Sequence, residues 1–138
     1  MPLGIHPEVG TVVICDYSTG FKAPEMVKRR LAVVISPRLK RRNDLCTVVP
    51  LSTKAPNPVE EFHHLVTLPQ EVPSYEGLEK WAKCDMLATV AFHRLTLPHK
   101  KREQFEIARR YINMQISADD LAAIMNCVRR ALGMAIVD

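Results

Sequence analysis

The side chains best able to act on a charged substrate lie between Lys28 and Arg42. Lys28, Arg29, Arg30, Arg38, Lys40, Arg41 and Arg42 fall there with no acidic residue among them. Guanidinium forks match phosphate oxygens, so the run suits a polyanion. It equally suits a solvated rim, because Lys and Arg at strand ends blunt edge pairing. A second basic cluster, His99-Lys100-Lys101-Arg102 with Arg109-Arg110 beyond it, favours phosphate. Other signatures of chemistry are missing: the chain has no Gly-rich phosphate loop, no G-x-S-x-G and no H-E-x-x-H. His63 and His64 are adjacent, and neighbours along a strand face opposite sides, which is poor geometry for a metal. Asp85, in Lys83-Cys84-Asp85, is a lone acid in an apolar stretch, for which a structural hydrogen-bonding role is the default. No metal and no cofactor is expected.

These residues need a scaffold, and the sequence outlines one. Thr11 to Ile14, within Gly10–Tyr17, has strong β-propensity. Leu31–Ile35 is apolar on both faces, as a central strand would be, and Ser36-Pro37 stops it. Leu45–Leu51 and His64–Leu68 give a third and a fourth strand. Trp81–Met86 and Leu87–Ala91 are weaker strand or mixed candidates, and Tyr111–Ile116 alternates apolar with polar and leans towards strand. Long polar connections join the strands at Ser18–Arg30, Thr53–Phe62 and Pro69–Glu79, and loops of that length are often functional surfaces. At the end, Ser117 reads as an N-cap and Asp119 and Asp120 suit the first turn. Leu121, Ile124, Val128 and Leu132 recur at helical spacing, and Gly133 is a terminator. Strands first and a helix last predict an α+β, mostly β fold.

The 138 residues allow one domain. Hydrophobic residues at 47% and charged residues at 25% exclude a disordered chain, and the net charge of +4 permits a polyanionic partner without demanding one. No apolar run reaches the ~20 residues that span a bilayer, and the first residues lack the pattern of a secretory signal. Cys15, Cys46, Cys84 and Cys127 are scattered without a C-x-x-C, which predicts buried free thiols in a reducing compartment, the cytoplasm.

Taken in order, four pieces resemble a known family. They are Gly10 with Val12-Val13-Ile14-Cys15-Asp16-Tyr17, then Lys28-Arg29-Arg30-Leu31-Ala32-Val33-Val34-Ile35-Ser36-Pro37, then Val48-Val49-Pro50-Leu51-Ser52-Thr53, and Lys83-Cys84-Asp85. The set is similar to the MazF/PemK toxins of type II toxin–antitoxin systems. The resemblance implies an SH3-like small barrel of the MazF/CcdB type over about 8–97, a variable insertion over about 98–116 and a C-terminal amphipathic helix over about 117–133. It further implies a homodimer, a cognate antitoxin, and metal-independent endoribonuclease activity on single-stranded RNA. Arg30 matches the family's catalytic arginine and Ser52, with Thr53 beside it, the catalytic hydroxyl. Asp85 matches the aspartate of the PemK R-C-D element. Lys28, Arg29, Lys83, Arg38 and Lys40 are the expected RNA contacts.

Those residue types suit the reaction. The RNA 2′-OH attacks the adjacent phosphorus and leaves a 2′,3′-cyclic phosphate and a 5′-OH. The protein must help remove the 2′-OH proton, stabilise charge on the phosphoryl oxygens and protonate the leaving oxygen. Arg30 suits the second task, Ser52 or Thr53 suits holding a phosphoryl oxygen, and Asp85 suits either a base or an orienter of Arg30. Two departures from the family pattern, Leu31 after Arg30 in place of proline and Lys83 in place of arginine, favour an alternative: a weak or inactive member that binds RNA or a partner protein. A gyrase-directed toxin ranks lower, because such proteins use a tryptophan in a C-terminal tail and this chain's single tryptophan is Trp81.

Overall fold

The computed structural model describes residues 2–100 and 110–138. Seven strands come in order: β1 (Val12–Tyr17), β2 (Lys28–Val34), β3 (Leu45–Ser52), β4 (His63–Thr67), β5 (Glu79–Lys83), β6 (Ala88–Ala91) and β7 (Leu95–Thr96). Helix α1 (Ala118–Ala131) follows, and 3-10 turns at Cys84–Met86 and Phe92–Arg94 flank β6. Every strand pairing is antiparallel. The order across the sheet is β4-β5-β3-β2-β1-β7, with β6 also on β3. The outer strands β4 and β7 do not pair with each other, so the expected barrel is an open, curled sheet with one C-terminal helix. No helix among the described residues is long and apolar enough to cross a membrane.

Strand β3 is shared by the whole sheet. Its start, Leu45–Val48, pairs with β6, Val48–Pro50 pairs with β2, and Leu51 and Ser52 pair with β5. Strands β5 and β6 therefore run along one side of β3 as a single line broken by the turn Cys84–Met86. Pro50 has no N–H for a ladder and falls opposite that break, which is where a proline is tolerated. Alternation then divides the core in two. Val12, Leu31, Val33, Val49 and Leu51 face α1, with Ile124, Cys127 and Val128 packed on them. Val13, Cys15, Tyr17, Ala32, Val34 and Val48 fill the other face with Phe92 and Leu95. All four cysteines are free and buried, as expected.

Ser117 caps α1, its hydroxyl accepting the Asp120 N–H at 3.0 Å, and Gly133 lies beyond the end at φ +71°. Asp120 also docks the helix: its carboxylate meets His64 Nε2 at 2.8 Å and the Thr67 N–H at 3.3 Å. Tyr111–Ile116 keeps the alternation, with Ile112, Met114 and Ile116 buried and Tyr111, Asn113 and Gln115 exposed. It forms isolated bridges, His99 to Tyr111 and Thr11 to Gln115, instead of the strand expected. The Met114 carbonyl accepts from Val12 N–H and the Gly10 carbonyl from Ile116 N–H, each at 3.0 Å, so the segment lines the entry to β1. Much of the insertion expected over about 98–116 lies outside the described residues, Lys101, Arg102 and Arg109 of the second basic cluster included.

Candidate active site

Antiparallel register puts Tyr17, Asp16 and Cys15 across from Lys28, Arg29 and Arg30. Lys28 enters β2 at φ +70°, a left-handed conformation that turns the chain sharply before the two arginines. Arg30 is half-buried, and its Nε donates to the Val27 carbonyl at 3.2 Å. One edge of the guanidinium is thus tied down, and its terminal nitrogens make no hydrogen bond among the described residues. Leu31, 2% exposed, anchors the following position in the core, so burial holds Arg30 in place without a proline. Arg29 points out to solvent and pairs with Asp16, Nε to Oδ2, at 3.5 Å. The Ser18 hydroxyl and the Ser18 N–H, the latter at 2.8 Å, both donate to Asp16 Oδ1, and with Arg29 they hold this carboxyl below the usual carboxylate range.

At the end of β3, Ser52 is buried and its hydroxyl accepts the Lys54 N–H at 3.2 Å, while Thr53 is exposed. Arg30, Ser52 and Thr53 line one cavity of about 490 Å³, with Arg29, Leu51 and the turn Ser74–Glu76. Lys80 lines it too, 2% exposed. Its amine donates to the Tyr75 carbonyl at 2.9 Å and the Glu76 carbonyl at 2.7 Å, pinning the turn that forms the far wall. Burial lowers the Lys80 pKa, opposed by the Glu71 charge. Burial raises that of the Tyr75 phenol, against the pull of Arg29 and Arg30. The cavity is cationic and rich in hydroxyls, which suits a phosphodiester.

The remaining expected residues are elsewhere. Asp85 is exposed and lines a different cavity, beside Tyr17, Phe21 and Met86. Asp85 stands on the 3-10 turn after β5 and does not line the cavity that Arg30, Ser52 and Thr53 share. Lys83 lies opposite His63 and lines neither cavity; in β5, Lys80 and Ala82 share one face while Trp81 and Lys83 take the other. Arg38 and Lys40 are exposed in the connection after β2, at the opposite end of that strand from Arg30, and Lys28 is exposed outside the cavity.

Lys80, Tyr75 and Glu76 were not singled out from the sequence. The signal for Lys80 was present, since a lysine two residues from Ala82 in a strand shares its inward face. Tyr75 and Glu76 depend on a turn, Tyr75 N–H to the Val72 carbonyl at 3.0 Å with Ser74 at φ +73°, that no local pattern announces. Among the described residues no three His, Cys, Asp or Glu side chains group as metal ligands.

Comparison with known proteins gives a consistent picture. A family model described as "PemK-like, MazF-like toxin of type II toxin-antitoxin system" matches residues 8–132. An uncharacterised protein of Haemophilus influenzae is 30% identical, over 68% of this chain and 71% of its own length. A crystal structure of MazF from Deinococcus radiodurans is similar with a TM-score of 0.61 at 22% identity, covering 93% of this chain and 97% of that one. A mycobacterial endoribonuclease in complex with its cognate antitoxin is similar with a TM-score of 0.60 at 16% identity, covering 96% and 100%.

Proposed function

The chain belongs to the PemK-like, MazF-like toxins of type II toxin–antitoxin systems, and from that premise we propose that it is an endoribonuclease cleaving single-stranded RNA by attack of the 2′-OH. One observation carries the reading: Arg30, Ser52 and Thr53, distant in sequence, line a single cationic cavity. In it Arg30 stabilises the charge that develops on the phosphoryl oxygens, where loss of one such donor raises the barrier by about 2.7–4 kcal/mol. Ser52 or Thr53 holds a phosphoryl oxygen by hydrogen bond. Glu76, the one carboxylate lining that cavity among the described residues, takes the 2′-OH proton in the place first expected of Asp85, and solvent water supplies the proton that the departing 5′-oxygen needs. The RNA supplies its own nucleophile, so the reaction as written uses no metal.

The proposal extends to partners. A cognate antitoxin inhibits the chain, its acidic disordered tail covering the cationic cavity in competition with RNA. The toxin acts as a homodimer in the cytoplasm, as a single domain with its open sheet over about 8–97, a variable insertion over about 98–116 and its helix over about 117–133. Purified protein incubated with single-stranded RNA in EDTA is expected to yield 2′,3′-cyclic phosphate ends, and Arg30→Ala is expected to slow this by about 10²–10³-fold. Intact RNA with the wild-type chain over varied sequences, together with salt-sensitive binding, would instead establish the non-cleaving alternative.

A further inference from the structure

The connection from β2 to β3 carries charge that the proposed cleavage does not use. Residues 37–44 are all exposed, and Arg38, Lys40, Arg41 and Arg42 lie among them. None of these four forms an ion pair among the described residues, not even with Asp44, the one acid of the segment. Together they equal the whole net charge of the chain, +4, so the remaining side chains balance. The segment is a closed turn. At its tip the Arg42 N–H donates to the Leu39 carbonyl at 3.0 Å. At its base the Ile35 N–H donates to the Thr47 carbonyl at 3.0 Å and the Thr47 N–H to the Ser36 hydroxyl at 2.9 Å. Its backbone is thus ordered before any partner arrives, which lowers the cost of binding. Arg38 is eight positions from Arg30, which places the turn up to about 26 Å from the cavity at ~3.3 Å per extended residue.

A rim that blunts strand edges does not account for these cations. Edges are the outer strands β4 and β7, whereas β2 and β3 are neighbours inside the sheet, so the turn between them has no edge to protect. Shape then decides what the charges meet. Peptides are held in grooves or along strand edges. Residues 37–44 line none of the cavities at Arg30, Asp16, Glu8, Tyr17 or Leu3, so the turn projects without a groove of its own. A projection suits a partner that itself has grooves and regular negative charge, and a nucleic-acid duplex has both. Three of the four cations are arginines, whose forks match phosphate oxygens. In A-form RNA the major groove is deep and narrow, so its two phosphate backbones approach each other. The tip of a two-stranded ribbon laid across that mouth meets both backbones without reading a base. The major groove of B-DNA, ~12 Å wide, holds its backbones farther apart.

We propose that the β2–β3 turn is a separate RNA-binding surface that grips the phosphates of a double-stranded stem, so that the chain takes RNA in which a stem flanks the single-stranded stretch offered to the Arg30 cavity. The stem contact stands by itself; its coupling to cleavage rests on the endoribonuclease reading. Binding is therefore measured first. A labelled blunt RNA duplex of about 16 base pairs is titrated with the full chain, and fluorescence anisotropy is followed from about 50 to about 200 mM salt. The exposed quadruple change Arg38→Gln/Lys40→Gln/Arg41→Gln/Arg42→Gln is expected to weaken binding at least about tenfold. It should also flatten the slope of log affinity against log salt by about one per cation removed. The charge-keeping change Arg38→Lys/Arg41→Lys/Arg42→Lys is expected to keep that slope, and Arg30→Ala to bind the duplex as the wild type does. Four results would each overturn the proposal: no binding of the duplex at low salt, a quadruple variant that binds like the wild type, a DNA duplex of the same sequence bound as tightly, or polyglutamate displacing the duplex as well as unlabelled duplex does. The wild-type comparisons need no variant to fold. In a second arm, a single strand joined to a stem is cut alongside the same strand alone. The stem is expected to lower KM by about the factor that the quadruple variant loses, and equal KM values would overturn the coupling. Stem binding through this turn by a chain that cuts no RNA would defeat the nuclease reading and leave the surface standing; cleavage by a chain that binds no duplex would do the reverse.

Discussion

In the proposed cleavage two carboxylates compete for the role of base, and their positions separate them. Glu76 lines the cavity with Arg30, whereas Asp85 faces the aromatic pair Tyr17 and Phe21. Glu76→Gln is expected to lower kcat on an RNA oligonucleotide by about 10²–10⁴-fold, the usual contribution of a general base. Asp85→Asn, an exposed change away from the cavity, is expected to stay within about twofold. The reverse order would return the base to Asp85. Lys80 poses a different question. Its amine satisfies two carbonyls on the Ser74–Glu76 turn, so Lys80→Met leaves both without a donor, and urea denaturation should show a loss of roughly 1–3 kcal/mol. Among single residues, those lying beside a strong apolar strand were legible: Arg30 precedes Leu31 and Ser52 follows Leu51. Lys83 and Asp85 were read as one short motif with a shared purpose. A strand face and a tight turn send them in other directions, and only three-dimensional register decides that.

At the scale of elements, the helix and the first four strands could be read directly, because their apolar periods are long and their boundaries carry Ser, Gly or Pro. Ser117→Ala tests the clearest of these boundaries. It removes the acceptor of the Asp120 N–H and should cost about 1 kcal/mol in chemical denaturation with the sheet unchanged. Strands β5 and β6 were harder. Neither is long, and the turn Cys84–Met86 between them exists because both must follow β3 while the sheet bends. Tyr111–Ile116 shows the opposite case: its alternation was correctly seen, yet burying every second residue needs only one neighbour, and isolated bridges meet that need. A cavity beside the Arg30 cavity was invisible for the same kind of reason: it is lined by Asp16, Tyr75 and His93, which no sequence window contains together.

For the molecule as a whole, buried acids make alkaline pH the weak side. Burial pushes the Cys15 thiol up to about 11 from its ordinary 9.0, and also raises Cys84 and Tyr17. The folded state holds these protons more tightly than the unfolded chain does. Their contribution is complete below about pH 9 and is lost as pH climbs through the folded values, with Cys15 alone worth up to about 3 kcal/mol. Thermal melts in reductant from pH 7.5 to 10.5 should show a plateau and then a fall in Tm; a flat profile would contradict the burial. The shared strand β3 has a mechanical corollary. Ser52 ends a strand flanked along its length by β2 on one side and by β5 and β6 on the other, whereas Tyr75 and Glu76 stand on a turn pinned chiefly by one amine. The cleft therefore has a stationary jaw and a sprung one. On the proposed endoribonuclease reading, an incoming RNA strand would meet fixed chemistry on the sheet side and adjust the opposite lip to its own thickness.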